Sequence, residues 1–268
     1  MFASITMGQY LPGRSAVHRL DPRTKILVTL AFLVLVLAGR GWTAIAACAT
    51  FTALGLAWAR LPPGPLWRGF RPILALVLLT ALTGVLLTPG VSLWRLGPLS
   101  VSREGLNQGL AAGARLALLV VQSTVLTITT APLDLSAAAE RLLRPFQRLG
   151  VPVQELALMS SIALRFLPTL ADEADRLAKA QAARGADWAG TGRQRVRAVL
   201  ALLVPLLISV LRRADELAMA MESRGYQGGQ GRTHWRQSRA GRADLLAATI
   251  VAALAACVIW TRLRGPLP

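Results

Sequence analysis

The sequence predicts an all-α, polytopic membrane protein with about five transmembrane helices and a set of amphipathic helices on the cytoplasmic side. Three observations carry this prediction. First, 54% of the 268 residues are hydrophobic and the mean hydropathy is +0.49, too apolar for a soluble chain of this size. Second, the apolar residues come in blocks, namely Ile26–Gly39, Gly41–Ala59, Pro72–Trp94, Leu116–Leu133 and Leu245–Thr261, and none contains Asp, Glu, Lys or Arg. Four of the five reach the roughly 17–25 residues that a bilayer core of about 30 Å requires. Third, the charge lies between blocks, and the stretch from Pro132 to Ala243 holds 17 of the 30 basic and 10 of the 13 acidic residues.

Residues 1–24 carry Arg14, Arg19 and Arg23 against Asp21 alone, a bias that places the N-terminus in the cytoplasm. Asp21-Pro22-Arg23 stands just ahead of the first span and reads as an internal ion pair that sets the start of the helix. That span is short, and Lys25 and Arg40 could snorkel to its two interfaces. The second span leads to a Pro-rich connection at 60–71 with Arg60, Arg68 and Arg71 and no acid, expected in the cytoplasm. The 39–41 turn and the 89–109 loop then face outward, and the fourth span returns the chain to the cytoplasm near Ala131.

Beyond Pro132 the prolines at 132, 145 and 152 and the glycines at 150, 185, 190 and 192 cut the chain into three helices. These are expected at about 136–148, from Val153 to Arg184 with a kink at Pro168, and from Arg193 to Arg224. Within the third, Ala198–Leu211 is wholly apolar but short for a span at 14 residues, and reads as lying in the interface or packing beneath the bundle. A Gly- and Arg-rich stretch at 225–242 precedes the last span, at about 244–262. The chain thus divides into 1–131, 132–243 and 244–268.

The formal net charge of +17 does not indicate nucleic acid, because 28 of the 30 basic residues are arginines that flank apolar blocks or lie in the 132–243 stretch. Cys48 and Cys257 lie far apart within predicted spans, and His18 and His234 have no ligand neighbours in sequence, so no disulfide, metal or cofactor is expected. No GxxxxGK[ST] pattern occurs, which leaves ATP hydrolysis to another chain if it is involved. The dense acids Asp172, Glu173 and Asp175 sit on an amphipathic helix and read as a solvated face rather than a catalytic pair. The alternative of a secondary transporter or channel binding its own substrate calls for broken spans and midplane polar groups, and the charge-free blocks offer little of either. Arg115, near the start of the fourth span, is expected to snorkel or to pair within the bundle.

The most informative pattern is a repeat at an offset of 40. Ala174–Gly185 (ADRLAKAQAARG) aligns with Ala214–Gly225 (ADELAMAMESRG), and seven of the twelve positions are identical. Both copies close an amphipathic helix on Arg-Gly. Glycine suits the residue after a helix, where a left-handed backbone carries no Cβ penalty. One arginine there merely complements the helix dipole. Two similar arginine-tipped ends on one side of the membrane suit a partner present as two similar subunits, because the guanidinium fork can grip a carboxylate in a groove.

Five stretches resemble the transmembrane T component of energy-coupling factor (ECF) transporters, the EcfT/CbiQ-like family. They are Gly8–Ser15 (GQYLPGRS), His18–Lys25 (HRLDPRTK), Leu149–Leu156 (LGVPVQEL), Ala163–Pro168 (ALRFLP) and Arg213–Ala218 (RADELA). The resemblance implies a non-catalytic coupling subunit of an ATP-driven importer for a vitamin or metal in the bacterial plasma membrane. It implies two ATP-binding cassette ATPase subunits as partners, together with a separate substrate-binding membrane (S) subunit. In such proteins two cytoplasmic coupling helices end in X-Arg-X motifs that dock on the ATPases. Those motifs fall here on Ala183, Arg184 and Gly185 and on Ser223, Arg224 and Gly225, with Ser223 standing where Ala is usual.

Overall fold

A computed structural model describes residues 10–11, 13, 15–39, 41–87, 92–96, 99–186, 190–228 and 241–263. Among these residues eight α-helices dominate: α1 (Pro22–Ala38), α2 (Gly41–Ala59), α3 (Pro63–Leu87), α4 (Arg103–Thr129), α5 (Pro132–Leu143), α6 (Val153–Ala183), α7 (Gly192–Ser223) and α8 (Arg242–Leu263). A short antiparallel hairpin, β1 (Ser92–Leu96) and β2 (Leu99–Ser102), joins α3 to α4, with Leu96 opposite Leu99 and Trp94 opposite Val101. The chain forms two compact units that divide within α5: residues 8–138 with 237–268, and residues 139–236.

The first unit is a bundle of α1, α2, α3, α4 and α8. α1, α2 and α8 are apolar around their whole circumference, the signature of helices surrounded by protein on one side and lipid on the other. Their shared core joins Phe32 and Val36 of α1, Ala44 and Cys48 of α2, and Leu254 and Val258 of α8. Phe32 stacks on Phe51 with ring centroids 5.3 Å apart. Outward leucines such as Leu30, Leu78 and Leu245 are more than half exposed, a loss in water but not in a bilayer. Trp42 and Trp58, both exposed, mark the two ends of α2, about 24 Å apart at 1.5 Å per residue, as an aromatic belt would.

α3 and α4 approach closely because their seam is glycine. A Cβ on Gly109 would lie 2.4 Å from the Ala81 carbonyl oxygen and 2.8 Å from the Val85 nitrogen, and one on Gly84 would lie 2.6 Å from the Gly109 Cα. Gly105, Gly109 and Gly113 recur every four residues, so one face of α4 is flat backbone.

The helix limits differ from the sequence expectation in instructive ways. The 60–71 connection is not all loop: α3 starts at Pro63, where a first-turn proline sacrifices no hydrogen bond, and Pro72 is carried inside the helix. α3 stops at Leu87, so the end of the third block, to Trp94, belongs to the hairpin rather than to a span. α4 begins well ahead of its charge-free block, at Arg103, because Ser102 Oγ caps it by accepting from the Gly105 N–H at 2.9 Å. The helix expected at 136–148 is α5 followed by a 3-10 turn over Arg144–Leu149, since Pro145 cannot continue the α-helical ladder.

Among the described residues, five helices are long and apolar enough to cross a bilayer: α2, α3, α4, α7 and α8. Membership of this set differs from the sequence reading. α1, with 17 residues reaching about 26 Å, lies at the short end of the spanning range. The 198–211 stretch, by contrast, lies within one continuous 32-residue helix, α7, which holds Pro205 in its interior. The chain is a multi-pass membrane protein.

The second unit consists of the end of α5, the 3-10 turn, α6 and α7. α6 is unbroken over 31 residues with Pro168 inside it. α7 is preceded by Thr191, whose N–H donates to Gln194 Oε1 at 3.0 Å.

Candidate docking site on two helix ends

Both repeat copies end in the same backbone structure. At the end of α6, the Gly185 N–H donates to the Ala182 carbonyl at 3.0 Å and the Ala186 N–H to the Gln181 carbonyl at 3.0 Å. At the end of α7, the Gly225 N–H donates to the Glu222 carbonyl at 2.9 Å and the Tyr226 N–H to the Met221 carbonyl at 3.0 Å. These are two Schellman stops in the same register. Gly185 and Gly225 have φ of +86° and +74°, and nothing stands within 4 Å of where a Cβ would be. Glycine is therefore required by backbone conformation, not by space.

The residue before each glycine is an arginine in near-identical geometry, with Arg184 at φ −87°, ψ 8° and Arg224 at φ −90°, ψ 9°. Both side chains are exposed, as are the flanking Ala183 and Ser223. Neither guanidinium forms an ion pair or hydrogen bond among the described residues. Ser223 Oγ donates to the Ala220 carbonyl at 3.0 Å and so turns back onto its own helix. Among the described residues, each end is an unpaired cation on a rigid stop.

α6 and α7 are tied at two levels. Glu173 accepts from Arg213 at 2.8 Å and from the Ser209 hydroxyl, and Gln181 Nε2 donates to the Ala201 carbonyl at 3.2 Å. Moving toward the end of α6 thus means moving toward the start of α7, so the helices run in opposed directions and the arginines sit at opposite ends of the pair. Glu173 and Arg213 are 40 residues apart, the offset of the repeat itself. Arg184 and Arg224 each lie 11 residues, about 16 Å of helix, beyond that tie.

The other motif singled out in the sequence acts within the bundle. The Asp21 carboxylate accepts from the Arg23 backbone N–H at 3.0 Å, with Pro22 in the first helical position, so Asp21-Pro22-Arg23 starts α1 by capping and not through an ion pair between its side chains. The Asp21 N–H donates in turn to Asp244 Oδ1 at 2.9 Å, and Asp244 Oδ2 accepts from the Gly241 N–H at 2.7 Å. One carboxylate thereby fastens the start of α8 to the start of α1.

Lys25 does not snorkel. It is buried, and its ammonium donates to the Thr129 carbonyl at 2.8 Å and the His18 carbonyl at 3.3 Å, which ties α1 to the end of α4. Sequence reasoning noticed Lys25 but gave it a different role, and missed Asp244; the signal available for Asp244 was a carboxylate directly abutting an apolar block. Arg40 and His234 lie outside the described residues. Arg115 Nη2 donates to the Gly39 carbonyl at 3.0 Å, a bond within the bundle but to backbone rather than to an acid. His18 is bonded to Ser15 Oγ at 2.6 Å and to the Leu11 carbonyl at 3.1 Å. No cluster of three or more metal-ligating side chains occurs among the described residues.

Comparison with known proteins bears on the whole chain. The family model described as "Cobalt transport protein" (CbiQ) matches residues 13–235. A protein of Acidaminococcus fermentans named "Energy-coupling factor transporter transmembrane protein EcfT" is 45% identical over 269 residues, covering 100% of both chains. Proteins of the same name from Thermosediminibacter oceani and Bacillus subtilis are 47% and 44% identical, covering 96% and 88% of this chain and 98% and 90% of their own.

Proposed function

Because the chain belongs to the CbiQ/EcfT family of transmembrane components of energy-coupling factor transporters, we propose that it is the non-catalytic coupling subunit of an ATP-driven importer in the bacterial plasma membrane. α6 and α7 are its coupling helices, lying on the cytoplasmic side. Arg184 and Arg224, each with its flanking pair Ala183 and Gly185 or Ser223 and Gly225, engage one of two ATP-binding cassette ATPase subunits. A separate substrate-binding membrane subunit carries the vitamin or metal ion and is moved when the ATPases close.

One observation carries this reading: two exposed arginines stand on matching helix stops, at equal distances from a tie between equivalent residues. A helix end fixed by backbone hydrogen bonds transmits displacement, whereas a loop absorbs it. Two equal arms suit two similar partner subunits. Truncating an arginine buried against a carboxylate in a partner's groove typically costs about 2–5 kcal/mol, so loss of either tip should weaken the assembly measurably.

The cytoplasmic placement of both tips requires that α7 not cross the bilayer, although its length and composition would allow that. The 14-residue limit of the charge-free stretch, bounded by Arg197 and Arg212, supports an interfacial position.

The test is purification of the tagged chain from its native membrane. Two ATP-binding chains are expected in stable association. Arg184→Ala combined with Arg224→Ala is expected to abolish ATP-driven uptake of vitamin or metal solutes while the protein remains at normal level in the membrane. Arg→Glu at the same positions should be more damaging, through repulsion from acidic grooves. Full uptake by the double alanine variant would end the proposal.

A further inference from the structure

We infer that Glu173 and Arg213 are positioning residues: they mark a local two-fold relation between α6 and α7 and set the spacing of the two arginine tips. The inference rests on the docking role proposed above and extends it to residues remote from the helix ends.

The offset of 40 defined at the helix ends extends upstream into the tie. Aligned that way, Thr169 corresponds to Ser209, Asp172 to Arg212, Glu173 to Arg213, Ala174 to Ala214 and Asp175 to Asp215. The two copies agree in pattern here and differ in sign, Asp172-Glu173 in the first against Arg212-Arg213 in the second. Where two related, opposed helices cross on a local two-fold axis, the residue at the crossing meets its own counterpart. Identical charges there would repel. The inversion makes the self-equivalent contact attractive, with Glu173 accepting from Arg213 at 2.8 Å and from the Ser209 hydroxyl as well.

The pair is only part-buried, with side chains 23% and 39% exposed, so it adds little to stability as a surface ion pair. Its value is in register. A slide of one helix by a single turn would separate Glu173 from Arg213 and bring it toward Val210 in one direction or the like-charged Glu216 in the other. It would also change the distance between the two tips by one helix pitch, roughly 5.4 Å. Two-point docking gains strength only when both tips reach their grooves together, and that gain disappears when the spacing is wrong.

Charge exchange tests this in the full complex. The probe is the affinity of the co-purified ATP-binding chains for this protein held in lipid nanodiscs, read beside its membrane level. Glu173→Arg and Arg213→Glu are each expected to lower that affinity at least roughly tenfold, toward single-point docking. The combined exchange restores the pair with its polarity reversed and should recover affinity to within about threefold of the unaltered protein. Glu173→Gln keeps shape and the bond to Ser209, and is expected to fall between the unaltered protein and the reversals.

Single reversals that bind as tightly as the unaltered chain, or a combined exchange no better than the singles, would overturn the inference. Loss in the singles that the exchange does not rescue, accompanied by a fall in membrane level, points to folding and overturns it equally. Failure of the docking reading is distinguishable: Arg184→Ala with Arg224→Ala would then leave the same affinity unchanged.

Discussion

Arg184 and Arg224 illustrate how a residue's meaning depends on the backbone beside it. Each owes its projection to a glycine whose φ is near +80° and whose Cβ space is empty. Gly185→Ala or Gly225→Ala therefore meets no steric wall and costs only the left-handed penalty, roughly 1–2 kcal/mol. We expect either change to leave the protein folded and in the membrane, and to weaken retention of the ATP-binding chains; quantitative pull-down measures this. Asn, which tolerates that backbone better, should cost less than Ala at both sites. Lys25 gives the contrasting case of a charge placed for structure. Lys25→Met would leave the Thr129 carbonyl without its donor, at about 1–3 kcal/mol, and should lower the melting temperature of the detergent-purified protein.

Among the elements, the α3–α4 pair shows what glycine does inside a membrane. Lipid gives little hydrophobic reward for helix association, so close backbone approach has to supply it. Gly109→Ala puts a methyl group 2.4 Å from the Ala81 carbonyl oxygen, and that atom is backbone that cannot swing aside. We expect Gly109→Leu to prevent accumulation of folded protein and Gly109→Ala to lower its melting temperature, both readable by size exclusion in detergent. Gly55 offers an internal control, since nothing lies within 4 Å of its Cβ position, and Gly55→Ala should be tolerated. The α6–α7 pair differs in carrying polar ties spaced along the helices, Glu173 with Arg213 and Ser209, and Gln181 with the Ala201 carbonyl.

For the whole molecule, the decisive question is topology. The positive-inside bias supports one side of the membrane for both tips, which requires the opposed α6–α7 pair to lie along the surface. Single cysteines at 184 and 224, introduced with Cys48→Ser and Cys257→Ser, should react with a membrane-impermeant maleimide in inside-out vesicles and remain protected in right-side-out ones. Opposite labelling at the two positions would mean that α7 spans, and the two-armed mechanism would fall. The buried carboxylate of Asp244 makes a second prediction at this scale. It holds the starts of α1 and α8 together, so Asp244→Asn, which lacks the charge but keeps one acceptor, should be milder than Asp244→Ala in thermal unfolding.

Much of this was legible in the residues alone. Charge-free blocks fix which stretches meet lipid, because an unpaired charge in hydrocarbon is expensive wherever it lies along the chain. The repeat with its terminal Arg-Gly fixes two similar helix ends, because a left-handed stop is a local property of glycine. Helix limits were less legible: α3 and α4 extend beyond their blocks through Pro63 and the Ser102 cap, features that charge counting ignores. What only the tertiary structure decided is who meets whom. That Glu173 faces its counterpart Arg213, that Lys25 reaches the end of α4, and that Gly109 faces the Ala81 carbonyl are facts of long-range register. Register is set by helices packing in three dimensions, and a linear pattern carries each partner's chemistry but not the address of the other.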